Sequence, residues 1–273
     1  MRRLLPGPGL ARDGGTGSGR TDDQDGLDDA ALARLYAYPP EPGPFVRGNM
    51  VASLDGAAAV DGRSGGLSSP GDRRVFWALR TLADVIMVGA GTARAEGYHP
   101  TTIKPPWDSL GLRAGRPAAP PLALVSRSLS LDPAAPLISG APAGARTIII
   151  TCAASPADRR GALAAAADVI VAGEQDVDLA AAAQALAARG LGRVLCEGGP
   201  RLLRDLTAAR VLDELCLTIS PALAGPGAVR ILEGEQFPAQ QARLAHLLAE
   251  DDVLFARYRL APPDPRPPHR APS

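Results

Sequence analysis

The residues best suited to chemistry follow a short apolar run at positions 85–88. Gly89 and Gly91 break the chain there, with Ala90 and Thr92 beside them. Glycines at the end of a strand let backbone N–H groups approach a ligand closely, and a helix that begins at such a break attracts an anion to its N-terminus. We therefore interpret this segment as a phosphate-binding turn. The alternative is an ordinary strand-to-helix turn that requires two glycines.

The sixth position of this segment distinguishes it from the Rossmann dinucleotide fingerprint. The fingerprint requires a third glycine there for close helix packing, whereas this chain has Arg94. The chain also has no Tyr-x-x-x-Lys pair, and Lys104 is its only lysine. A short-chain Rossmann dehydrogenase is therefore a minor alternative.

A second glycine pair and a small cationic cluster follow two further apolar runs. The pair is Gly198 and Gly199, and the cluster begins with Ser126 and Arg127. Because parallel strands present their carboxyl ends at one edge of a sheet, each segment could bind a part of a dinucleotide. The Arg127 guanidinium could pair with a 2′-phosphate, which would select NADPH over NADH. A solvated loop arginine is the alternative.

Two carboxylates adjoin these breaks. Asp55 follows the first predicted strand and precedes a glycine, a pattern that most often marks a turn, but in a parallel sheet it would also lie beside the Gly89 turn. Glu197 immediately precedes Gly198, so it is either satisfied by nearby backbone N–H groups or faces a ligand. The residues alone leave both alternatives open for each carboxylate.

The apolar runs and helix signals predict one three-layer α/β/α domain with a mostly parallel mixed sheet. Strand and helix patterns alternate, which is typical of parallel sheets. The runs at 214–223 and 253–260 have no convincing helix between them and are predicted to be antiparallel strands that complete the sheet. The other predicted strands cover 45–52, 85–88, 121–125, 147–151, 169–172 and 194–197, and the main predicted helices cover 70–82, 155–167, 178–189 and 201–208.

Composition excludes several classes of partner and site. Lys+Arg and Asp+Glu are both 29, so the chain lacks the basic excess that nucleic acids and anionic membranes require of their partners. Three widely spaced cysteines and three histidines predict neither a disulfide framework nor a metal site. No segment has the length of a transmembrane helix or the pattern of a signal peptide, so we expect a cytoplasmic protein.

The two ends of the chain differ from the rest in composition. Residues 1–26 are rich in Gly, Asp, Arg and Ser, and residues 261–273 are rich in proline. Both are predicted to be disordered. No clear linker interrupts residues 45–260, and residues 27–260 are predicted to form a single domain.

The order of several short motifs resembles that of the reductase domain of bacterial riboflavin biosynthesis, which has the dihydrofolate reductase-like fold. The resemblance covers about residues 45–260, and the order is more specific than any single motif. The motifs are SLDG at 53–56, LR at 79–80, AD at 83–84, VGAGT at 88–92, EGGP at 197–200, LDE at 212–214, and Pro221 with Gly225.

The resemblance implies an NADPH-dependent reductase that opens the ribose of a pyrimidine ribosylamine and reduces its C1′ to a ribityl chain. It places the cofactor on Gly89, Ala90, Gly91, Thr92, Ser126, Arg127, Gly198 and Gly199. Asp55 and Glu197 would be catalytic and face the substrate or the nicotinamide. The substrate would be bound by Asn49, Ser53, Glu96 and His99.

Several positions depart from the family pattern. The chain has no H-x-E followed by P-C-x-x-C, which excludes the zinc deaminase of the bifunctional enzymes. Ala57 stands where the family has a lysine, and Gly66 stands where it has a tryptophan. Residues 97–100 replace an Asp-Asn-Pro motif, and Lys104 is the only cation in place of the arginine that binds the substrate phosphate. A related heterocycle such as a dihydropterin is thus a possible substrate, and a catalytically silent nucleotide-binding protein is the alternative function. We also expect a homodimer, because the last strands should leave an exposed sheet edge.

Overall fold

The computed structural model describes residues 1–5 and 26–261. Ten strands form a single mixed sheet in the order β1-β9-β10-β8-β2-β7-β3-β4-β5-β6. These strands are β1 (Arg2–Leu5), β2 (Phe45–Ser53), β3 (Val85–Gly89), β4 (Leu122–Val125), β5 (Ile148–Thr151), β6 (Asp168–Val171), β7 (Arg193–Cys196), β8 (Glu214–Ser220), β9 (Ala242–Glu250) and β10 (Val253–Leu260).

Seven neighbouring strands, from β8 to β6 in the sheet order, are parallel. The register pairs Gly48 with Cys196 and Ser53 with Ser220 across the centre of the sheet, and Gly89 with Val125 further along. β10, β9 and β1 continue the sheet in antiparallel directions. The carboxyl ends of β2, β3, β4, β7 and β8 therefore lie along one edge, which we call the carboxyl edge.

Helices cover both faces of the sheet. One core contains side chains of α1, α2 and α5, and the other contains side chains of α6 and α7. The short helices α3 and α4 lie in connections between strands. The helices are α1 (Asp29–Leu35), α2 (Pro70–Leu82), α3 (Ala90–Ala95), α4 (Pro136–Ser139), α5 (Ala157–Ala164), α6 (Leu179–Ala187) and α7 (Pro200–Ala208). The predicted three-layer α/β/α architecture is confirmed.

Helix α2 shows how local sequence sets these elements. The Ser69 hydroxyl accepts a hydrogen bond from the Asp72 N–H at 3.0 Å, and Pro70 occupies the first helical position. The apolar side chains Val75 and Leu79 then lie on one buried face against the sheet. The predicted start of this helix is confirmed.

Two strands were not expected from the sequence. β9 consists mainly of Ala, Leu, Arg and Glu, which favour a helix, but pairing with β10 and β1 on its two sides overrides that preference. β1 corrects the prediction of disorder for the first residues: it pairs with β9, and the Met1 ammonium lies 2.7 Å from Glu250 Oε2. The rest of the two predicted disordered tails, residues 6–25 and 262–273, lies outside the described residues.

The direction of β8 is a further correction. It runs antiparallel to β10, as expected, but parallel to β2 on its other side. Helix α7 crosses from the carboxyl end of β7 back to the opposite edge, so the next strand must run parallel to β7. Because β10 lies inside the sheet and β9 is paired with β1, the last strands do not present the free edge on which the homodimer expectation rested. The homodimer itself stays a prediction.

A buried ion network joins α1 to the sheet. The Glu214 carboxylate has no exposed surface and pairs with Arg47, at 2.5 Å, and with Arg257, at 2.6 Å. The same two arginines donate to the carbonyl oxygens of Tyr36 and Leu35 at the end of α1. They thereby satisfy carbonyls that a helix end leaves without partners. Within residues 1–5 and 26–261, none of the helices has the length and hydrophobicity needed to cross a bilayer.

Replacing Glu214 with alanine should destabilise the fold strongly, because two buried guanidinium groups would lose their counter-charge. The expected loss of unfolding free energy is about 3–5 kcal/mol, measured by urea denaturation followed by circular dichroism. Glu41→Ala, at an exposed position, is the matched control and should leave the midpoint unchanged. Equal midpoints for the two variants would contradict the importance of the network.

Candidate functional site

The two glycine turns meet at the carboxyl edge. The Gly89 N–H donates to the Gly198 carbonyl oxygen at 3.0 Å, and the Glu197 N–H donates to the Met87 carbonyl oxygen at 3.0 Å. A Cβ placed on Gly89 would lie 3.7 Å from the Gly199 nitrogen. The segments that the sequence analysis assigned to one cofactor groove are therefore in direct contact.

Close packing explains the second glycine pair. A Cβ on Gly199 would lie 2.1 Å from Thr92 Oγ1, which is far inside van der Waals contact. Gly198 has a φ of 91°, which side chains rarely allow, and the Gly198–Gly199 peptide bond is cis. By contrast, no atom lies within 4 Å of a Cβ placed on Gly91, which is exposed. The two turns are thus tightly packed at Gly199 and open at Gly91, and we call the surface formed by residues 89–92 and 198–199 the groove.

Two helices begin at this contact. Gly89 precedes the first residue of α3, and Gly199 precedes the first residue of α7. Neither residue can cap the helix with a side chain, and neither first turn contains an acidic residue. The first N–H groups of a helix have no partners within it and carry partial positive charge. The two helix starts therefore offer backbone N–H donors to an anion at the carboxyl edge.

Glu197 is held by an ion pair on the α2 side of the sheet. Arg80 Nε and Nη2 donate to its two carboxylate oxygens, each at 2.7 Å, and the Tyr98 hydroxyl donates at 2.7 Å. Only 3% of the Glu197 side chain is exposed. Burial, and then the charge of Glu197, raise the pKa of Tyr98 well above its ordinary value, so Tyr98 stays a neutral donor. The carboxylate is therefore satisfied, but by side chains rather than by the backbone groups considered above.

Asp55 links the turn after β2 to the loop after β8. Its carboxylate accepts hydrogen bonds from the Ser53 hydroxyl and from the N–H groups of Ala224, at 3.1 Å, and Gly225, at 2.8 Å. These bonds, that of Ser53 first, lower the pKa of Asp55 to about 2. Asp55 is exposed at the carboxyl edge and is an anion at neutral pH. It can accept hydrogen bonds or stabilise a cation, but it cannot serve as an acid.

The predicted substrate-binding residues are distributed unevenly. Ser53 is buried under Asp55, and Asn49, half-buried, lies one position beyond the Gly48 and Cys196 pair. The Glu96 carboxylate accepts from the Ser64 N–H at 3.1 Å and so stabilises the loop after β2. His99 is exposed in the loop after α3. Asn49 thus lies on β2 next to the end of β7, and Ser53 lies four residues further along the same strand. Glu96 and His99 belong to the segment after α3.

The segment after β4 forms the cationic end of the edge. Ser126 is buried, and its hydroxyl accepts from the Leu129 N–H at 3.1 Å. The Arg127 side chain is 68% exposed and lies 2.6 Å from the exposed carboxylate of Asp176. Arg94, the residue that breaks the Rossmann fingerprint, donates to the Ser130 carbonyl oxygen at 2.8 Å. It brings a second guanidinium to this segment from α3.

The roles of Arg80 and Tyr98 were not expected from the sequence. Arg80 lies in the middle of a helix, and such an arginine does not by itself indicate a functional site. In the structure its guanidinium lies 4.2 Å from the centre of the Phe76 ring, one turn earlier in the helix. Its partner Glu197 is 117 residues away in the sequence. Among residues 1–5 and 26–261, no group of three or more His, Cys, Asp or Glu side chains is arranged to hold a metal ion.

Comparison with known proteins agrees with this geometry. Residues 44–254 match the model of the RibD C-terminal domain. The chain belongs to the RibD C-terminal domain family. It is 30% identical to a pyrimidine reductase-like protein from Corynebacterium diphtheriae, with a TM-score of 0.72 over 81% of this chain and 93% of that one. The resemblance to this family and the fold of its members are confirmed.

Two archaeal relatives of this RibD-family chain carry the name 2,5-diamino-6-ribosylamino-4(3H)-pyrimidinone 5′-phosphate reductase. The protein from Archaeoglobus fulgidus is 28% identical over 219 residues, which cover 79% of this chain and 98% of the relative. The protein from Methanothermobacter thermautotrophicus is 29% identical over 218 residues, which cover 77% and 96%. The family and its fold imply a nicotinamide cofactor.

The close contact at Gly199 predicts a large difference between two similar substitutions. Gly199→Ala should lower the unfolding free energy by about 1–3 kcal/mol, because the new methyl group overlaps the Thr92 side chain. Gly91→Ala should be neutral or slightly stabilising, because its Cβ meets open space within a helix. Urea denaturation of both variants provides the measurement. Equal stabilities would show that the two turns are not packed as described.

Proposed function

We propose that this protein is an NADPH-dependent reductase. Its substrate would be a pyrimidine ribosylamine that carries a 5′-phosphate, and it would reduce ribose C1′ to give a ribityl chain. The observation that carries the proposal is the contact of two glycine turns, each at a helix N-terminus, at the same edge of the sheet as the Asp55 turn. Membership of the RibD C-terminal domain family supports it, as do the two archaeal relatives named as such reductases, which match over nearly their whole lengths.

The pyrophosphate would be held between the two glycine turns. One side would be formed by Gly89, Ala90, Gly91 and Thr92, and the other by Gly198 and Gly199. Bound NADPH supplies the hydride for C1′. The role of this part of the chain is to bind and orient: backbone donors fixed by the sheet require no rearrangement when an anion binds.

The cationic segment after β4 supports NADPH as the cofactor rather than NADH. Arg127 would pair with the 2′-phosphate, close to Ser126. Its present partner Asp176 is 75% exposed, and a surface ion pair of this kind contributes little free energy. Exchange of Asp176 for a phosphate dianion would therefore be favourable, because guanidinium groups bind phosphate with two parallel hydrogen bonds.

Asp55 provides the charge that the substrate side needs. When the ribose ring of a ribosylamine opens, C1′ and the nitrogen form a double bond. Protonation of this nitrogen gives the C1′=N group a positive charge, and C1′ is the atom that accepts the hydride. A carboxylate with a pKa of about 2 remains an anion beside such a group and stabilises it. Ser53 fixes the carboxylate by a hydrogen bond, and Asn49 contributes an amide on the adjoining strand.

Glu197 would act as a positioning residue. Both of its oxygens bind Arg80, so its contribution is to hold the turn that contains Gly198 and Gly199. Glu96 and His99 would contact the substrate only from the outer rim of the groove.

An activity assay tests the proposal. Purified protein is mixed with NADPH and 2,5-diamino-6-ribosylamino-4(3H)-pyrimidinone 5′-phosphate, and we expect NADPH oxidation with a product heavier by two hydrogen atoms. Tight NADPH binding without turnover of this compound or of dihydrofolate would instead favour a silent nucleotide-binding protein. One observation favours that second candidate: all predicted catalytic carboxylates already have partners within the protein.

Gly91→Asp should weaken NADPH binding by at least a hundredfold, because a carboxylate at the open side of the groove repels the pyrophosphate. An acid in the first turn of α3 favours the helix, so the variant should remain folded. Calorimetric titration with NADPH gives the affinity, and Gly91→Ala serves as the control that adds only a methyl group. Wild-type affinity in the aspartate variant would place the cofactor elsewhere.

Arg127→Ala should weaken NADPH binding by about tenfold to a hundredfold, the effect of losing a charge-assisted hydrogen bond. NADH lacks the 2′-phosphate, so its affinity should change little. Titrations of both nucleotides into wild type and variant give the comparison, with Asp176→Ala as a control that frees Arg127. Equal losses for NADPH and NADH would remove the proposed role of Arg127.

A further inference from the structure

The loop that follows β8 returns to the turn after β2. Ala57 and Arg230 form an antiparallel bridge, and the Ala58 N–H donates to the Val229 carbonyl oxygen at 2.7 Å. The Leu54 N–H donates to the Ala222 carbonyl oxygen at 2.8 Å. These backbone bonds place Arg230 at the carboxyl edge, next to the turn that contains Asp55.

The Arg230 guanidinium lies directly over Gly56. A Cβ on Gly56 would be 2.8 Å from Arg230 Nη2 and 3.1 Å from Cζ and Nη1, so the absence of a side chain leaves room for the guanidinium plane. The φ of Gly56 is 88°, which also favours glycine at this position. Both the backbone bridge and the glycine thus define where this cation lies.

Arg230 differs from Arg201 and Arg204, the arginines of α7 that face the same loop, in having no counter-charge. Glu233 and Glu235, the acids of the same loop, pair with Arg201 and Arg204 of α7. Asp55 directs its oxygens to Ser53 and to the N–H groups of the loop. Within the part of the chain that the structure describes, no carboxylate forms an ion pair with Arg230, whose side chain is exposed.

We infer that Arg230 binds the 5′-phosphate of the substrate, an inference that rests on the proposed function. A phosphate monoester needs a cation with several donors, and a guanidinium supplies them in a fixed plane. Lys104 was the cation expected from the sequence to replace the family arginine. Its ammonium lies 5.6 Å from the centre of the Trp77 ring, on the α2 side of the sheet. Arg230 instead reaches the Asp55 turn from the loop after β8. It replaces the missing arginine from a different part of the chain.

The test compares the phosphorylated ribosylamine with its dephosphorylated nucleoside as substrates. Arg230→Ala should raise KM for the phosphorylated compound by about tenfold to a hundredfold, the loss expected for a charge-assisted contact. KM for the nucleoside and the affinity for NADPH should not change, and Arg230→Lys should restore part of the loss. Arg189→Ala, an exposed arginine after α6, is the matched control and should behave as wild type.

A binding measurement separates this inference from the proposed function. Ribose 5-phosphate titrated calorimetrically into the protein should bind wild type at least tenfold more tightly than Arg230→Ala, whether or not any substrate is reduced. Absence of turnover would overturn the proposed reductase activity alone. Equal ribose 5-phosphate affinities, equal increases in KM for both substrates, or a loss seen with Lys104→Ala and not with Arg230→Ala would overturn the role of Arg230.

Discussion

The ion pair between Arg80 and Glu197 holds the carboxyl edge together. It joins α2 to the end of β7, and the Tyr98 hydroxyl adds the loop after α3 to the same carboxylate. Breaking a buried pair leaves an uncompensated charge at a cost of about 3–5 kcal/mol, so this geometry resists distortion. The turn that it fixes contains Gly198 and Gly199, whose contact with Gly89 forms the groove. In the proposed function, a carboxylate that the family resemblance made catalytic would instead position backbone donors.

The carboxyl edge has two halves, which differ in the groups they present: neutral backbone donors in one and charged side chains in the other. The proposed cofactor half, at β3 and β7, would rely on neutral backbone N–H groups and on glycines that permit close approach. The proposed substrate half, at β2 and β8, would rely on full charges: the anion of Asp55 and the cation of Arg230. Asp55 also ties the turn after β2 to the loop after β8, which is how a residue distant in sequence reaches the substrate side.

Much of the fold follows from local sequence, but the long-range partners do not. Apolar runs and helix caps indicate the central strands and α2, because both signals are local. β9 could not be recognised, since only its neighbours in the sheet make it a strand. The glycines of the groove were predicted from their positions after strands, whereas the partners of Glu197 and the location of Arg230 depend on contacts between residues 99 or more positions apart. No periodic pattern encodes such contacts.

Determination of the structure with NADPH bound tests the central claim most directly. The account predicts pyrophosphate oxygens within about 3.2 Å of backbone N–H groups at the starts of both α3 and α7, in the positions of Gly91 or Thr92 and of Arg201 or Leu202. A pyrophosphate bound away from both helix N-termini would contradict it. One such place is the cleft of about 320 Å³ at the opposite edge of the sheet, lined in part by Tyr38 and Arg193.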